Sequence, residues 1–189
     1  MSPPRRPHLL GIDDGPFRKG RDRETPLVAV AMEGSDLVEA VAVSRFPIDG
    51  ADLTGTLARW IRGLRIHPSL QGLLFGGLTA AGLAVVEPRA LAEATGIPVL
   101  VVNRRPPTNP ALIRALRAAG LEQRVAMVQK APLPFRVSDG LFASAAGTDE
   151  ASARALLRAS CGKSALPEPL RLAHLIATAL VRGSSYGRP

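Results

Sequence analysis

Two adjacent carboxylates, Asp13 and Asp14, directly follow a short apolar run at residues 9–12. The run has the length of a buried strand, and Gly15-Pro16 ends it with a turn. In open α/β sheets, ligand sites lie where buried strands end. A carboxylate there can hold a divalent cation, because Mg²⁺ prefers oxygen ligands. Asp-Asp-Gly-Pro is also ordinary turn chemistry, and the spacing alone does not separate a metal site from a turn.

Two groups of basic side chains could bind phosphate. Arg18 and Lys19 open a charged loop over residues 18–26, and Arg104 and Arg105 follow an apolar run at residues 98–102. An arginine presents forked donors that match a phosphate, although charged residues at a strand end or in a loop can equally be a solvated surface. These positions are candidates for contact with the nucleic-acid backbone.

The charge balance favours a polyanionic partner. The chain has 24 Lys and Arg against 16 Asp and Glu, a formal net charge of +8. Such an excess is typical of proteins that bind DNA or RNA. However, 21 of the 24 basic residues are arginine, which a GC-rich genome supplies in any case.

Composition excludes several classes of protein. The 189 residues, 46% of them hydrophobic, suffice for one core, and we expect a single domain over residues 9–183 with flexible ends at 1–8 and 184–189. Cys161 is the only cysteine, so no intrachain disulfide or Cys-x-x-Cys zinc site can form. The uncharged stretch 68–86 contains proline and four glycines and indicates strand and turn rather than a membrane span. We expect a cytoplasmic protein without membrane contact.

The apolar periodicity predicts an α/β fold. Three strands at the start of the chain are followed by alternating helices and strands, the order β-β-β-α-β-α-β-α, which is how ribonuclease H-like folds begin. That order predicts a mixed sheet with helices on both faces. The expected strands are 9–12, 27–32, 37–46, 73–75 and 98–102, with weaker candidates at 125–128 and 141–145, and the expected helices are 51–65, 88–96, 110–120, 149–159 and 168–182.

Five blocks of sequence are similar to segments of one known protein family. They are residues 10–17, 48–52, 77–86, 95–99 leading to Arg104-Arg105-Pro106, and 166–171. In these blocks, and in their order along nearly the whole chain, the sequence resembles the archaeal endonuclease dU family, distant relatives of endonuclease V. The resemblance implies a ribonuclease H-like fold. It also implies metal-dependent nicking of nucleic acid near a deaminated base, uracil or inosine, and a role in DNA repair.

The resemblance also assigns roles to residues. It implies Mg²⁺ or Mn²⁺ as cofactor, with Asp13 as the principal ligand. Separately, the glycines at 76, 77 and 82 lack the strand-Gly-x-Gly-x-x-Gly-helix pattern, so we expect no nucleotide cofactor. The implied further ligands are Asp14, Asp49 and Glu168, the implied catalytic carboxylates are Asp13, Asp49, Asp52 and Glu168, and the implied nucleic-acid contacts are Arg18, Lys19, Arg104 and Arg105. Two cations held by clustered carboxylates can activate water and stabilise the leaving oxygen of a phosphodiester.

One departure from the endonuclease V pattern keeps a second function open. Where those relatives carry Asp-Gly at the end of the fourth strand, this chain has Phe75-Gly76-Gly77, and a glycine has no side chain to coordinate a metal. Either another aspartate substitutes, or the protein binds nucleic acid without cutting it. A small-molecule enzyme built on the glycine-rich segment lacks a nucleophile and base pair. His174 is interpreted as a half-buried structural residue of the last helix.

Overall fold

The chain folds into a seven-stranded mixed sheet with helices on both faces. The computed structural model describes residues 6–105 and 109–186; the predicted flexible residues 1–5 and 187–189, and Pro106, lie outside the described residues. The strands are β1 (His8–Asp14), β2 (Glu24–Glu33), β3 (Leu37–Pro47), β4 (Gly72–Phe75), β5 (Thr79–Ala80), β6 (Ala84–Val85), β7 (Val99–Asn103), β8 (Phe135–Ser138) and β9 (Leu141–Ala146). The helices are α1 (Leu53–Arg62), α2 (Pro88–Thr95), α3 (Pro110–Ala118), α4 (Glu122–Gln129), α5 (Glu150–Ser160) and α6 (Glu168–Arg182), with a 3₁₀ turn at His67–Ser69.

Strand β1 lies near the middle of the sheet, whose order is β3-β2-β1-β4-β7-β9-β8. It pairs antiparallel with β2 on one side and parallel with β4 on the other. The change of direction at β1 follows from the connections: a short loop joins β1 to β2, whereas β4 is reached only through β2, β3 and α1. The end of β1 is therefore a place where the chain diverges and a cleft can open.

The side chains of β1 alternate between two cores. Leu10 and Ile12 are buried in the cluster that contains residues of α1 and α2, whereas Leu9 belongs to the cluster that contains residues of α5 and α6. Helix α6 also covers β2, where Val28 and Val30 pack with Ala173 and Ala177. This two-residue alternation is what a strand buried on both faces requires.

Helix α6 approaches β1 so closely that only glycine fits beneath it. A Cβ atom at Gly11 would lie 2.2 Å from the carbonyl carbon of Pro169 and 2.3 Å from the nitrogen of Leu170. The first turn of α6 therefore rests directly on the backbone of β1. This contact fixes the distance between the strand and the helix.

The predicted meander of three strands and the alternating units that follow it are confirmed, and one predicted element is wrong. Residues 125–128, expected as a weak strand, lie in α4, where Val125 and Val128 are both buried. A short apolar run does not distinguish a strand from one turn of a buried helix, which explains the error. Within the described ranges, no helix has the length and apolarity needed to cross a membrane.

Candidate active site

Asp13 and Asp14 are the last two residues of β1, at the edge of the sheet where the turn to β2 begins. Gly15 donates its backbone N–H to Pro26 O at 2.9 Å, and Thr25 Oγ1 donates to Gly15 O at 2.7 Å, so the chain beyond the carboxylates is tied to β2. Asp14 N also donates to Asp13 Oδ1 at 3.0 Å. Both carboxylates are thus held on a rigid strand end, as the sequence predicts.

His174 of α6 meets this pair. Its Nδ1 lies 2.7 Å from Asp13 Oδ2, although 161 positions separate the two residues. The side chain of His174 is 66% exposed and that of Asp13 only 25%. The prediction that His174 is half-buried is therefore wrong, because its side chain is largely exposed and lines the same cleft as Asp13.

Burial makes the charged forms of both carboxylates unfavourable. Burial raises the pKa of Asp13 above its ordinary value of 3.8, and the hydrogen bond with His174 offsets part of that rise. Burial, and then repulsion from Asp13, raise the pKa of Asp14 to about 6. Two partly desolvated carboxylates side by side favour a positive partner, whether a proton, a basic side chain or a cation.

The pair opens into a cleft of about 680 Å³, which we call the carboxylate cleft. It is lined by Asp13, Asp14, Gly15, Pro16, Phe17, His174, Thr178, Arg182, Ser184, Ser185 and Tyr186. Two aromatic side chains, Phe17 and Tyr186, thus flank the carboxylates, and the exposed Tyr186 belongs to the segment after α6 that is predicted to be flexible. The volume is in the range of sites that enclose small ligands.

Asp49 lies in the turn before α1, and its hydrogen bonds tie that turn to the turn between β5 and β6. Its Oδ1 accepts a hydrogen bond from Leu83 N at 2.7 Å, and its own N–H donates to Ala81 O at 2.8 Å, so it holds the turn between β5 and β6. A Cβ at Gly82 would come within 2.4 Å of Asp49 Oδ1, so a residue with a side chain does not fit at this position. Lys19, predicted to bind phosphate, is 3.9 Å from Asp49 Oδ2.

Asp52 and Glu168 are also engaged outside the carboxylate cleft. Asp52 is the N-cap of α1, and its Oδ1 accepts from Gly55 N at 3.0 Å. Glu168, in the first turn of α6, is almost fully buried and accepts two hydrogen bonds from Arg171 on one oxygen, at 2.8 and 2.6 Å. Among the described residues, Asp13 and Asp14 line the carboxylate cleft, whereas Asp49, Asp52 and Glu168 do not.

Two of the predicted basic residues line clefts near the pair. Arg104 lines a second cleft that also contains Asp13 and His174, and Arg18 lines a third that shares Phe17 and Arg182 with the carboxylate cleft. Arg18 also contacts Asp22, whose carboxylate accepts from the Arg18 backbone N–H at 2.6 Å. Arg105 is exposed next to Arg104.

Gly76 stands beside Asp13 at the sheet edge. Ile12 pairs with Phe75 across β1 and β4, so the next residues along the two parallel strands are Asp13 and Gly76, and both line the second cleft. The position that the resemblance associates with a missing ligand is thus at the site. Across residues 6–105 and 109–186, no three His, Cys, Asp or Glu side chains gather closely enough to hold a metal ion.

The sheet order and the carboxylates at the end of β1 define a ribonuclease H-like α/β protein with a candidate site at the sheet edge. The chain belongs to the endonuclease dU family, whose family model matches residues 5–181. This membership supports a nuclease-like function, and the family resemblance stated from the sequence is confirmed.

Curated relatives match along almost their whole length. A UPF0215 protein of Thermococcus kodakarensis is 37% identical over 183 residues, which cover 94% of this chain and 93% of the relative. A UPF0215 protein of Deinococcus radiodurans is 36% identical over 187 residues, covering 98% and 94%.

Solved structures share the fold. A protein of unknown function from Archaeoglobus fulgidus superposes with a TM-score of 0.86 at 31% identity, over 94% of this chain and 99% of that one. Endonuclease V of Streptomyces avermitilis gives a TM-score of 0.58 at 19% identity, over 96% and 84%. Endonuclease V of Ciona intestinalis, solved with a DNA containing inosine, gives 0.57 at 11% identity, over 89% and 82%. At these identities the two endonuclease V structures establish the fold alone, and the predicted ribonuclease H-like architecture is confirmed.

Proposed function

We propose that the protein is a divalent-metal-dependent endonuclease that nicks nucleic acid near a deaminated base, uracil or inosine. The observation that carries the proposal is the pair of partly buried carboxylates, Asp13 and Asp14, at the edge of the sheet in an open cleft with His174. Family membership supports the nuclease class. The endonuclease V structures solved with inosine-containing DNA support nucleic acid as the partner and a deaminated base as the target.

The carboxylate pair fits a cation of the Mg²⁺ type. Asp13 and Asp14 would hold it, because Mg²⁺ is commonly bound by one or two carboxylates and completes its shell with waters and substrate phosphates. The raised pKa of Asp14 has the same implication, since a positive charge there relieves the repulsion between the two groups. The ion would supply activation of water and neutralisation of charge on the leaving oxygen.

His174 can move a proton at this site. When its Nδ1–H donates to Asp13, the other ring nitrogen, Nε2, is an acceptor that can take a proton from water; when the ring is doubly protonated, Nε2 is a donor toward a leaving oxygen. Asp13 fixes the orientation and tautomer of the ring, as a carboxylate does for a catalytic histidine. The basic residues around the clefts hold the strand by its phosphates.

A nicking assay tests the proposal. Strands with one deoxyuridine or deoxyinosine, and matched unmodified strands, are incubated with the protein in Mg²⁺, Mn²⁺ or EDTA. We expect nicks only with a metal, and preferentially in the modified strands. Asp13→Asn keeps the shape of the side chain but loses its charge, and should reduce nicking on the order of a hundredfold or more.

The matched control for Asp13→Asn is Asp139→Asn, because the Asp139 side chain is 95% exposed and pairs only with Arg136. Asp139→Asn should nick like the unchanged protein. Full nicking by a folded Asp13→Asn protein would show that the carboxylate pair is not the active centre.

The alternative function is a nucleic-acid-binding protein that does not cut. The position of Gly76 beside Asp13, with no carboxylate of its own, favours this function. It predicts binding of modified strands in EDTA as tightly as in Mg²⁺, with no nick under any condition of the assay. Binding that strengthens in Mg²⁺ and is followed by cleavage would contradict it.

A further inference from the structure

The second cleft, of about 540 Å³, adjoins the carboxylate cleft at Asp13, and we call it the arginine cleft. It is lined by Asp13, Gly76, Val102, Asn103, Arg104, Leu166, Leu170, Arg171, His174, Leu175 and Tyr186. Asp13, His174 and Tyr186 therefore lie between the two clefts and belong to both. A strand that passes the carboxylate pair can reach this second cleft without leaving the surface.

Arg171 is held rigidly in the arginine cleft. Its Nε and one terminal nitrogen, Nη2, both donate to a single oxygen of Glu168, at 2.8 and 2.6 Å. The Glu168 side chain is only 11% exposed and that of Arg171 30% exposed, so the pair is largely desolvated. Within the described part of the chain, the second terminal nitrogen, Nη1, makes no hydrogen bond. An oriented guanidinium with a free donor is suited to an oxyanion.

The other groups in the arginine cleft favour an anion as well. Arg104 and Asn103 come from the end of β7 and add a second positive charge and an amide donor. Asp13 is the only acidic side chain among the residues that line this cleft, and it is engaged by His174. The apolar wall of Val102, Leu166, Leu170 and Leu175 lowers the local dielectric, which strengthens the attraction for an anion.

We propose that the arginine cleft binds a phosphate of the nucleic-acid strand through Arg171 and Arg104, and that Glu168 is a positioning residue for Arg171. The proposal rests on the proposed function, because it takes the ligand to be the strand that Asp13 and Asp14 act upon. It gives Glu168 a different role from the metal ligand that the family resemblance implies. It also adds Arg171, which the sequence did not single out, to the substrate-binding residues.

The salt dependence of binding tests the proposal. A fluorescently labelled single-stranded oligonucleotide with one deoxyuridine is titrated with protein in EDTA over a series of salt concentrations. Each phosphate neutralised on a single strand contributes about 0.7 to the slope of log K against log salt. Arg171→Gln should therefore reduce the magnitude of the slope by about 0.7 and weaken binding roughly tenfold, and Arg104→Gln should act in the same direction.

Three further variants serve as controls. Arg158→Gln removes an exposed charge from α5, does not line the arginine cleft, and should leave the slope unchanged. Arg171→Lys keeps the charge but cannot fork between Glu168 and a phosphate, so it should keep the slope while binding several-fold more weakly. Because Arg171→Gln leaves Glu168 buried without its partner, the double variant Glu168→Gln/Arg171→Gln is also measured.

Two outcomes overturn the proposal. One is a slope for the folded double variant equal to that of the unchanged protein; the other is the same loss of slope in Arg158→Gln. Nicking measured on the same preparations separates the two hypotheses. Normal nicking with no change of slope refutes the phosphate site alone, whereas a reduced slope in a protein that never nicks supports the phosphate site and refutes the endonuclease.

Discussion

Asp13 and Asp14 end a buried strand, whereas Asp49 and Asp52 lie in the turn between β3 and α1, and the two pairs of aspartates have different surroundings. Asp49 and Asp52 accept hydrogen bonds from the backbone N–H groups of Leu83 and Gly55. Asp13 and Asp14 are partly desolvated and repel each other. A carboxylate stabilises the fold where it satisfies a backbone N–H group, and this stabilisation is opposed where the carboxylate is buried beside a second carboxylate.

The largest expected effect on stability is at Asp49. Asp49→Ala removes the acceptor for Leu83 N and places alanine at a φ of 56°, so we expect a loss of about 2–3 kcal/mol in the free energy of unfolding. Urea unfolding measures it. Asp49→Asn is the control, because it keeps an acceptor oxygen and tolerates positive φ, and it should lose less. Normal stability with abolished nicking in Asp49→Ala would instead make Asp49 a metal ligand.

At Asp14, in contrast, we expect a substitution to increase the free energy of unfolding. Because its pKa is raised from 3.8 to about 6, the folded protein binds more protons than the unfolded chain between these values, and stability falls as pH rises through that window. Asp14→Asn should therefore stabilise the metal-free protein at pH 7.5, by about 1–2 kcal/mol after allowance for solvent screening. Thermal melts in EDTA from pH 4 to 7.5 measure it. An Asp14→Asn protein that is less stable at pH 7.5 would show that the charge of Asp14 does not destabilise the fold.

A carboxylate added at the end of β4, beside Asp13, should strengthen the binding of Mg²⁺. Gly76 does not have a positive φ, and a Cβ there would meet only Leu170 Cδ2 at 4.0 Å, so Gly76→Asp is sterically free. A third carboxylate beside Asp13 should raise Mg²⁺ affinity about tenfold, because ligand charge sets affinity for hard cations. Titration calorimetry measures it.

The control for this variant is Gly77→Asp, which adds the same charge one residue further along, where no other atom lies within 4 Å of the new Cβ. It should leave Mg²⁺ affinity close to that of the unchanged protein. Equal gains in both variants would mean that net charge, rather than coordination at Gly76, determines the affinity.

The smallest effect is expected at Asp52. Asp52→Ala removes the exposed N-cap of α1 and should cost about 1 kcal/mol, slightly more than Asp149→Ala at the N-cap of α5, because only alanine at residue 52 also has a left-handed backbone. The two caps differ in backbone, because Asp52 has a φ of 53° and Asp149 a φ of −80°. Asp52→Gly should therefore be milder than Asp52→Ala, whereas glycine should give no such relief from backbone strain at Asp149. Chemical unfolding of the four variants tests this difference.

The parts of the molecule that depend on local sequence could be predicted. The strand that ends at Asp13 and Asp14, the hairpin of β2 and β3, and the order of the following units all follow from apolar period and turn residues. The contact between Asp13 and His174 could not, because 161 residues separate them and a histidine on a helix is usually structural.

The spacing of the other acidic residues along the sequence does not indicate their roles either. The partner of Asp49 is a backbone N–H 34 residues away, and only the packing of the β5–β6 turn makes it a structural residue. The partner of Glu168 is three residues away, a common spacing on a helix surface, but its burial depends on the whole fold. A glutamate that faces Arg171 in the core cannot be told from one that faces a metal by its position in the sequence.

The contact of α6 with Gly11 has a consequence for the order of events during synthesis. Asp13 and Asp14 leave the ribosome early, but the helix that carries His174 and Arg171 is the last of the described elements to be made. At about 5–20 residues per second, roughly 8–32 s pass between the synthesis of Asp13 and that of His174, which lies 161 positions later. Until α6 is translated and packs on Gly11, the faces of β1 and β2 that it covers stay exposed. Both clefts then lack the lining residues that α6 contributes. A nascent chain therefore carries both carboxylates before either cleft is complete, and the clefts form only after the last described helix docks.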